Sequence, residues 1–240
     1  MRKAFQTLLL AGSMILLFTQ TFYAQTDHSA WDSLVNKYVD QDGWVDYKGL
    51  MTERESLQGY LSYLATNKPA EGTEKNEVLA FYINLYNAAM AERVLEHYPL
   101  ASVKDIKRVW GKKVIAVGDE LLSLNDVEHN ILRKLDEPRI HFAVNCASVS
   151  CPKLSNEAFK AATLDKQLDA ATKAFLNSEK NRLDGAEIGL SKIFSWYKKD
   201  FSVNGKPDPI AYINQYLEKP VPTNAKTYFL DYDWNLNEQR

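Results

Sequence analysis

Arg139-Ile140-His141-Phe142-Ala143-Val144-Asn145-Cys146-Ala147-Ser148-Val149-Ser150-Cys151-Pro152-Lys153-Leu154 holds both cysteines of the chain and one of its four histidines. Residues 139–145 alternate polar or small with apolar side chains, the period-two pattern of a strand with one face on a core. This predicts Ile140, Phe142 and Val144 facing inward. Arg139, His141, Ala143 and Asn145 then share the other face, where a guanidinium, an imidazole and an amide would line a cleft. After Cys146 the small residues Ala147 to Ser150 make a turn, and Pro152 fixes the backbone just beyond Cys151.

Three readings of the two thiols are open. Four residues separate them, and a tight bend could bring them within the span of a disulfide, which on the chain-entropy model would add only about 2 kcal/mol for so short a loop. Alternatively, one thiol is a nucleophile, served by an imidazole or a helix N-terminus that lowers its pKa. A metal site is the weakest of the three, since the spacing is uncommon for zinc and no second pair follows. Strand parity adds a constraint: positions 141 and 146 differ by an odd number, so an unbroken strand would point His141 and Cys146 to opposite faces.

Farther out, residues 1–24 read as a signal peptide: Arg2 and Lys3 precede an apolar run through Phe18, with Ala24 at the cut. Export to a periplasmic or extracellular location follows, and the 216 residues of 25–240 suffice for one domain with a sizeable core. They carry 27 basic against 31 acidic residues, a net of −4 where the whole chain has −2. Mixed signs of that kind leave no electrostatic footprint for nucleic acid. No later apolar run is long enough for membrane insertion after the signal is cut, and nothing in the pattern calls for a cofactor.

Along the mature chain, apolar residues at helical spacing predict helices near 28–39, 47–64, 73–97, 125–135, 164–176, 193–201 and 208–217. The helix over 73–97 is apolar nearly all round, as in a buried core helix. On it Asn84 and Asn87 share one face. Buried amides need partners, so these either bond a neighbouring backbone or hold a ligand. Residues 114–124 predict a hairpin turning at Gly118-Asp119, and Asp184-Gly185 predicts another. Asn125 with Glu128 has the shape of a capping box. Glu128 is then either that cap or, with His129, a carboxylate and imidazole at the edge of a site.

Several of these segments together resemble the DUF547 family, a domain of unknown function. The resemblance lies in Phe81-Tyr82-Ile83-Asn84-Leu85-Tyr86-Asn87-Ala88, Val127-Glu128-His129, Arg139 through Ala143, Ser150-Cys151-Pro152, Phe194-Ser195-Trp196-Tyr197 with Asp200-Phe201, and Tyr232 through Asn237. It spans roughly residues 40–237 in matching order. It implies carrying Asn84, Asn87, Glu128, His129, Arg139, His141, Cys146 and Cys151 over as the family's recurring positions. Tyr82 stands where the family often has tryptophan, and Val149 where a basic residue is common. The resemblance implies a fold but no activity.

The expectation is therefore one α+β domain, rich in helix and packed against a small antiparallel sheet that contains 139–145. Its leading function is a thiol-dependent hydrolase or acyl transferase, with Cys151 or Cys146 as nucleophile, His129 or His141 as base, and Glu128 beside them. Asn84, Asn87 and Arg139 would bind a small-molecule or peptide ligand. The competing class is a non-catalytic binding module stapled by a Cys146–Cys151 disulfide.

Overall fold

The computed structural model describes residues 25–239; the signal peptide expected over 1–24 lies outside them. The protein is a helix-rich α+β structure built around one buried helix. In chain order come α1 (Ser29–Tyr38), α2 (Tyr47–Met51), α3 (Arg54–Thr66), α4 (Lys75–Leu95), the strands β1 (Ile115–Val117) and β2 (Glu120–Leu122), then α5 (Leu164–Leu176), β3 (Glu187–Leu190), α6 (Ile193–Trp196), β4 (Ser202–Val203), β5 (Lys206–Pro207), α7 (Pro209–Ile213) and β6 (Lys226–Phe229). Among the described residues no helix is long and apolar enough to cross a membrane.

Helix α4 is buried on almost every side, from Leu79 through Ala91, as its apolar circumference predicts. Helix α3 packs along it and α1 packs on α3. The first core forms around these three. A second holds Phe175, Ile188, Ile193, Phe194, Phe201 and Ile213, and α5 bridges the two, with Leu168 in the first and Phe175 in the second.

The hairpin at Gly118-Asp119 forms as predicted, with β1 and β2 antiparallel and Gly118 at φ +56°. Asp208 caps α7 by accepting from the Ala211 N–H at 2.9 Å, with Pro209 in the first turn. At Asp184-Gly185 the chain turns back for a single antiparallel bridge, Arg182 to Gly189, but the ladder partner of β3 is β6, running parallel. Among the described residues the strands form three two-stranded sheets rather than one antiparallel sheet.

The largest departure is at residues 139–145. They are not a strand: Pro138–Phe142 is a 3₁₀ helix, opened by the Glu137 side chain accepting from the Arg139 N–H. The segment runs between the two cores, giving Ile140, Ala143 and Val144 to the first and Phe142 to the second. With apolar surroundings on both sides, every residue from Ile140 to Asn145 is buried, and alternation stops reporting on which face is wet. Without a strand, side-chain alternation no longer sets His141 and Cys146 on opposite faces.

A second correction concerns 125–135, which is a single π turn, Asp126–Ile131, followed by the 3₁₀ turn Leu132–Leu135. Asn125 makes no cap. The reciprocal pair is Ser123 with Asp126: the Asp126 carboxylate takes the Ser123 N–H at 2.9 Å, and Ser123 Oγ takes the Asp126 N–H at 3.1 Å. Ser123→Ala is accordingly expected to cost about 1 kcal/mol in urea unfolding while Asn125→Ala costs little. Equal costs would return the cap to Asn125. Glu128 is left free of capping.

Candidate active site

The turn after Val144 is set by amides. Asn87 on α4 gives its Nδ2 to the Ala143 carbonyl at 2.9 Å and takes the Asn145 N–H on its Oδ1 at 2.8 Å. Asn145 in turn accepts the Ala147 N–H at 2.8 Å and donates to the Pro152 carbonyl at 2.7 Å. Asn237, close to the C-terminus, adds its own N–H to the Ala147 carbonyl at 3.3 Å and takes the Tyr47 hydroxyl at 2.8 Å. These bonds hold Ala147, the residue after Cys146, at φ +61°, a left-handed conformation a non-glycine residue keeps only when its surroundings impose it.

That turn presents the two thiols differently. Cys146 Sγ lies 3.1 Å from Ser148 Oγ and 3.4 Å from the Tyr232 hydroxyl. Burial by itself pushes this thiol up, but hydrogen bonds from Cys151, Ser148 and Tyr232 outweigh it and hold its pKa down at about 7. The Tyr232 phenol, raised by burial and then by the neighbouring sulfurs, keeps its proton to donate. Cys151 is 4 % exposed; its Sγ accepts the Cys146 N–H at 2.9 Å, and burial drives its own pKa well up. Both cysteines are free thiols in this structure.

Cys146 and Cys151 line a cavity of about 380 Å³ together with Glu128, His129 and His141. His141 is 2 % exposed and stacks on Tyr197, with ring centroids 4.0 Å apart. Its Nε2 meets Asp200 Oδ2 at 2.8 Å, while its Nδ1 is buried without a partner. Asp200 also takes two bonds from Arg133, at 2.5 and 2.8 Å. Burial works against its charge, yet the Arg133 and His141 bonds hold the carboxyl well below the usual range. An anionic Asp200 fixes the His141 tautomer with the proton on Nε2 and a lone pair on Nδ1. His129 differs in that the Arg133 guanidinium donates to its Nδ1 at 3.3 Å.

The other expected ligand-binding residues are occupied elsewhere. Asn84 bonds both the N–H and the carbonyl of Phe159, at 3.0 and 2.7 Å, and Asn87 is spent on the Cys146 turn. Arg139 pairs with Glu137, Asp165 and Asp169 at 2.6 to 2.8 Å. A second cleft of about 440 Å³ lies on the other side of Cys151, beside Lys153, Glu179 and Lys180. It is the larger of the two, but no imidazole lines it. Among the described residues no three His, Cys, Asp or Glu side chains gather to hold a metal ion.

Residues 70–176 match the model of a family described as "Protein of unknown function, DUF547". Those residues carry a DUF547 domain. The DUF547 stretch contains Asn84, Asn87, Glu128, His129, Arg139, His141 and both cysteines, while Asp200, Tyr232 and Asn237 come from beyond it. No curated protein and no solved structure matches the chain. Those last three residues were not singled out from the sequence as site residues. They lie in Asp200-Phe201 and in Tyr232 through Asn237, where no periodicity tells them from ordinary surface positions.

Proposed function

We propose that this chain is a thiol-dependent hydrolase or acyl transferase acting outside the cytoplasm, with Cys146 as nucleophile, His141 as base and Asp200 as the group that orients it. The observation that carries the reading is a thiol held near pKa 7 in the same cavity as an imidazole whose Nδ1 is buried and unpartnered. In the reaction the Cys146 thiol passes its proton to His141 Nδ1, and the sulfur forms a bond to a substrate carbonyl carbon. The bond to the leaving group breaks, and that group takes a proton from the His141 imidazolium. Water, or an acceptor amine or alcohol, then gives its proton to His141 and displaces Cys146 from the thioester. Ser148 and Tyr232 assist by stabilising the thiolate before attack. The export assigned here rests on the N-terminal sequence alone.

The competing reading is a ligand-binding module with a Cys146–Cys151 bridge, favoured by the closeness of the two groups at 2.9 Å between the Cys146 nitrogen and Cys151 Sγ. Alkylation with iodoacetamide separates them. Cys146 is expected to react with a rate that rises through a midpoint near pH 7, because its depressed pKa populates the thiolate there. Cys151 is expected to react only on unfolding. Two thiols that are already joined, or both inert, or a Cys151 that reacts first, would remove the nucleophile.

A further inference from the structure

Glu128 is a buried carboxyl group with no task in the thiol chemistry. It is 6 % exposed, lines the cavity, and receives the Tyr86 hydroxyl at 3.4 Å and that of Tyr197. Neither hydroxyl offsets a charge. Arg133, whose field reaches Glu128, is committed to Asp200 through two bonds. A carboxylate withdrawn from water without a cationic partner is costly, and a ligand cation would relieve that cost.

Four aromatic side chains, Trp110, Trp196, Tyr232 and Trp234, line the same cavity. Trp196, Tyr232 and Trp234 form a cluster with centroids 4.4 to 5.7 Å apart, and Trp110 meets Trp234 at 5.6 Å. Aromatic faces carry negative potential and attract ammonium groups. Lys104 makes that contact already, with Nζ 4.4 Å from the Trp234 centroid, though it does not line the cavity. Among the lining residues there is no lysine or arginine.

We propose that this cavity selects substrates carrying a primary or quaternary ammonium group near the reacting carbonyl, with Glu128 pairing the cation and Trp196, Tyr232 and Trp234 covering it. The position of the carbonyl rests on Cys146 as nucleophile; the cation subsite does not. The full chain is titrated with choline and with its uncharged isostere dimethylbutanol, following tryptophan fluorescence. Choline is expected to bind about tenfold tighter or better, and Glu128→Gln to abolish the difference. Equal affinities overturn the proposal. Should Glu128→Gln fail to fold, Trp196→Ala replaces it, since that ring is 46 % exposed. Choline affinity should then fall about threefold or more, and an unchanged value overturns the proposal.

Labelling of Cys146 distinguishes this from the thiol reading. Relative to the ratio the two reagents show with a free small-molecule thiol, trimethylammonioethyl methanethiosulfonate should react about tenfold faster than the sulfonatoethyl reagent, and a ratio equal to the free thiol's counts against the subsite. A Cys146 inert to both reagents defeats the nucleophile and leaves the choline titration to decide the subsite.

Discussion

His141→Ala is expected to lower the turnover of an activated ester such as p-nitrophenyl acetate by roughly 10²–10⁴-fold, the usual contribution of one general acid–base group. The loss should fall on turnover rather than on the first acylation burst. Cys146 is drawn toward its thiolate by Ser148, Tyr232 and Cys151, none of which the substitution touches. Deacylation needs a proton taken from water, and the Nδ1 of His141, which lines the cavity, is buried without a partner. Stopped-flow release of nitrophenol should therefore show a retained burst and a nearly absent steady state. A variant that turns over as the parent does would remove His141 from the mechanism. Asp200→Asn should move in the same direction, less far, since the ring keeps a hydrogen-bond partner but loses the anion that fixes its tautomer.

Asn87→Ala is expected to destabilise the protein by about 2–5 kcal/mol in urea unfolding, because two buried backbone groups, the Ala143 carbonyl and the Asn145 N–H, lose their partner at once. Asn84→Ala should cost a comparable amount through the two Phe159 bonds. The two variants should part company in Cys146 alkylation. Asn87 secures the turn that carries the thiol, whereas Asn84 secures the loop at Phe159, so only Asn87→Ala should slow the reaction. A cost under about 1 kcal/mol for Asn87→Ala would mean that water replaces the amide without loss, and the turn would not depend on α4.

Both amides illustrate how far residue chemistry alone reaches. Their spacing on an apolar helix already indicated buried groups needing partners; that the partners would be Phe159 and Asn145, long distances away in sequence, depended on the path of the chain. His141 shows the same limit from the other side. Its membership of a site was legible, since imidazole, thiol and proline crowd one stretch. Its partner was not, because Asp200 is one of 31 acidic residues and is distinguished by tertiary contacts alone, to Nε2 of His141 at 2.8 Å and to Arg133.

Where a segment faced a single environment, local pattern sufficed. Helices α4 and α5 and the turn at Gly118 are written in the chain itself, because burial on one face or all round leaves a period, and a left-handed turn calls for glycine. Residues 139–145 met two cores at once, so the same alternation accompanied a 3₁₀ turn, and tertiary packing decided. The Cys146 thiol was likewise settled at long range. Ser148 is nearby in sequence, but Tyr232 arrives from the irregular segment after β6, and hydrogen bonds between distant residues have no period to read.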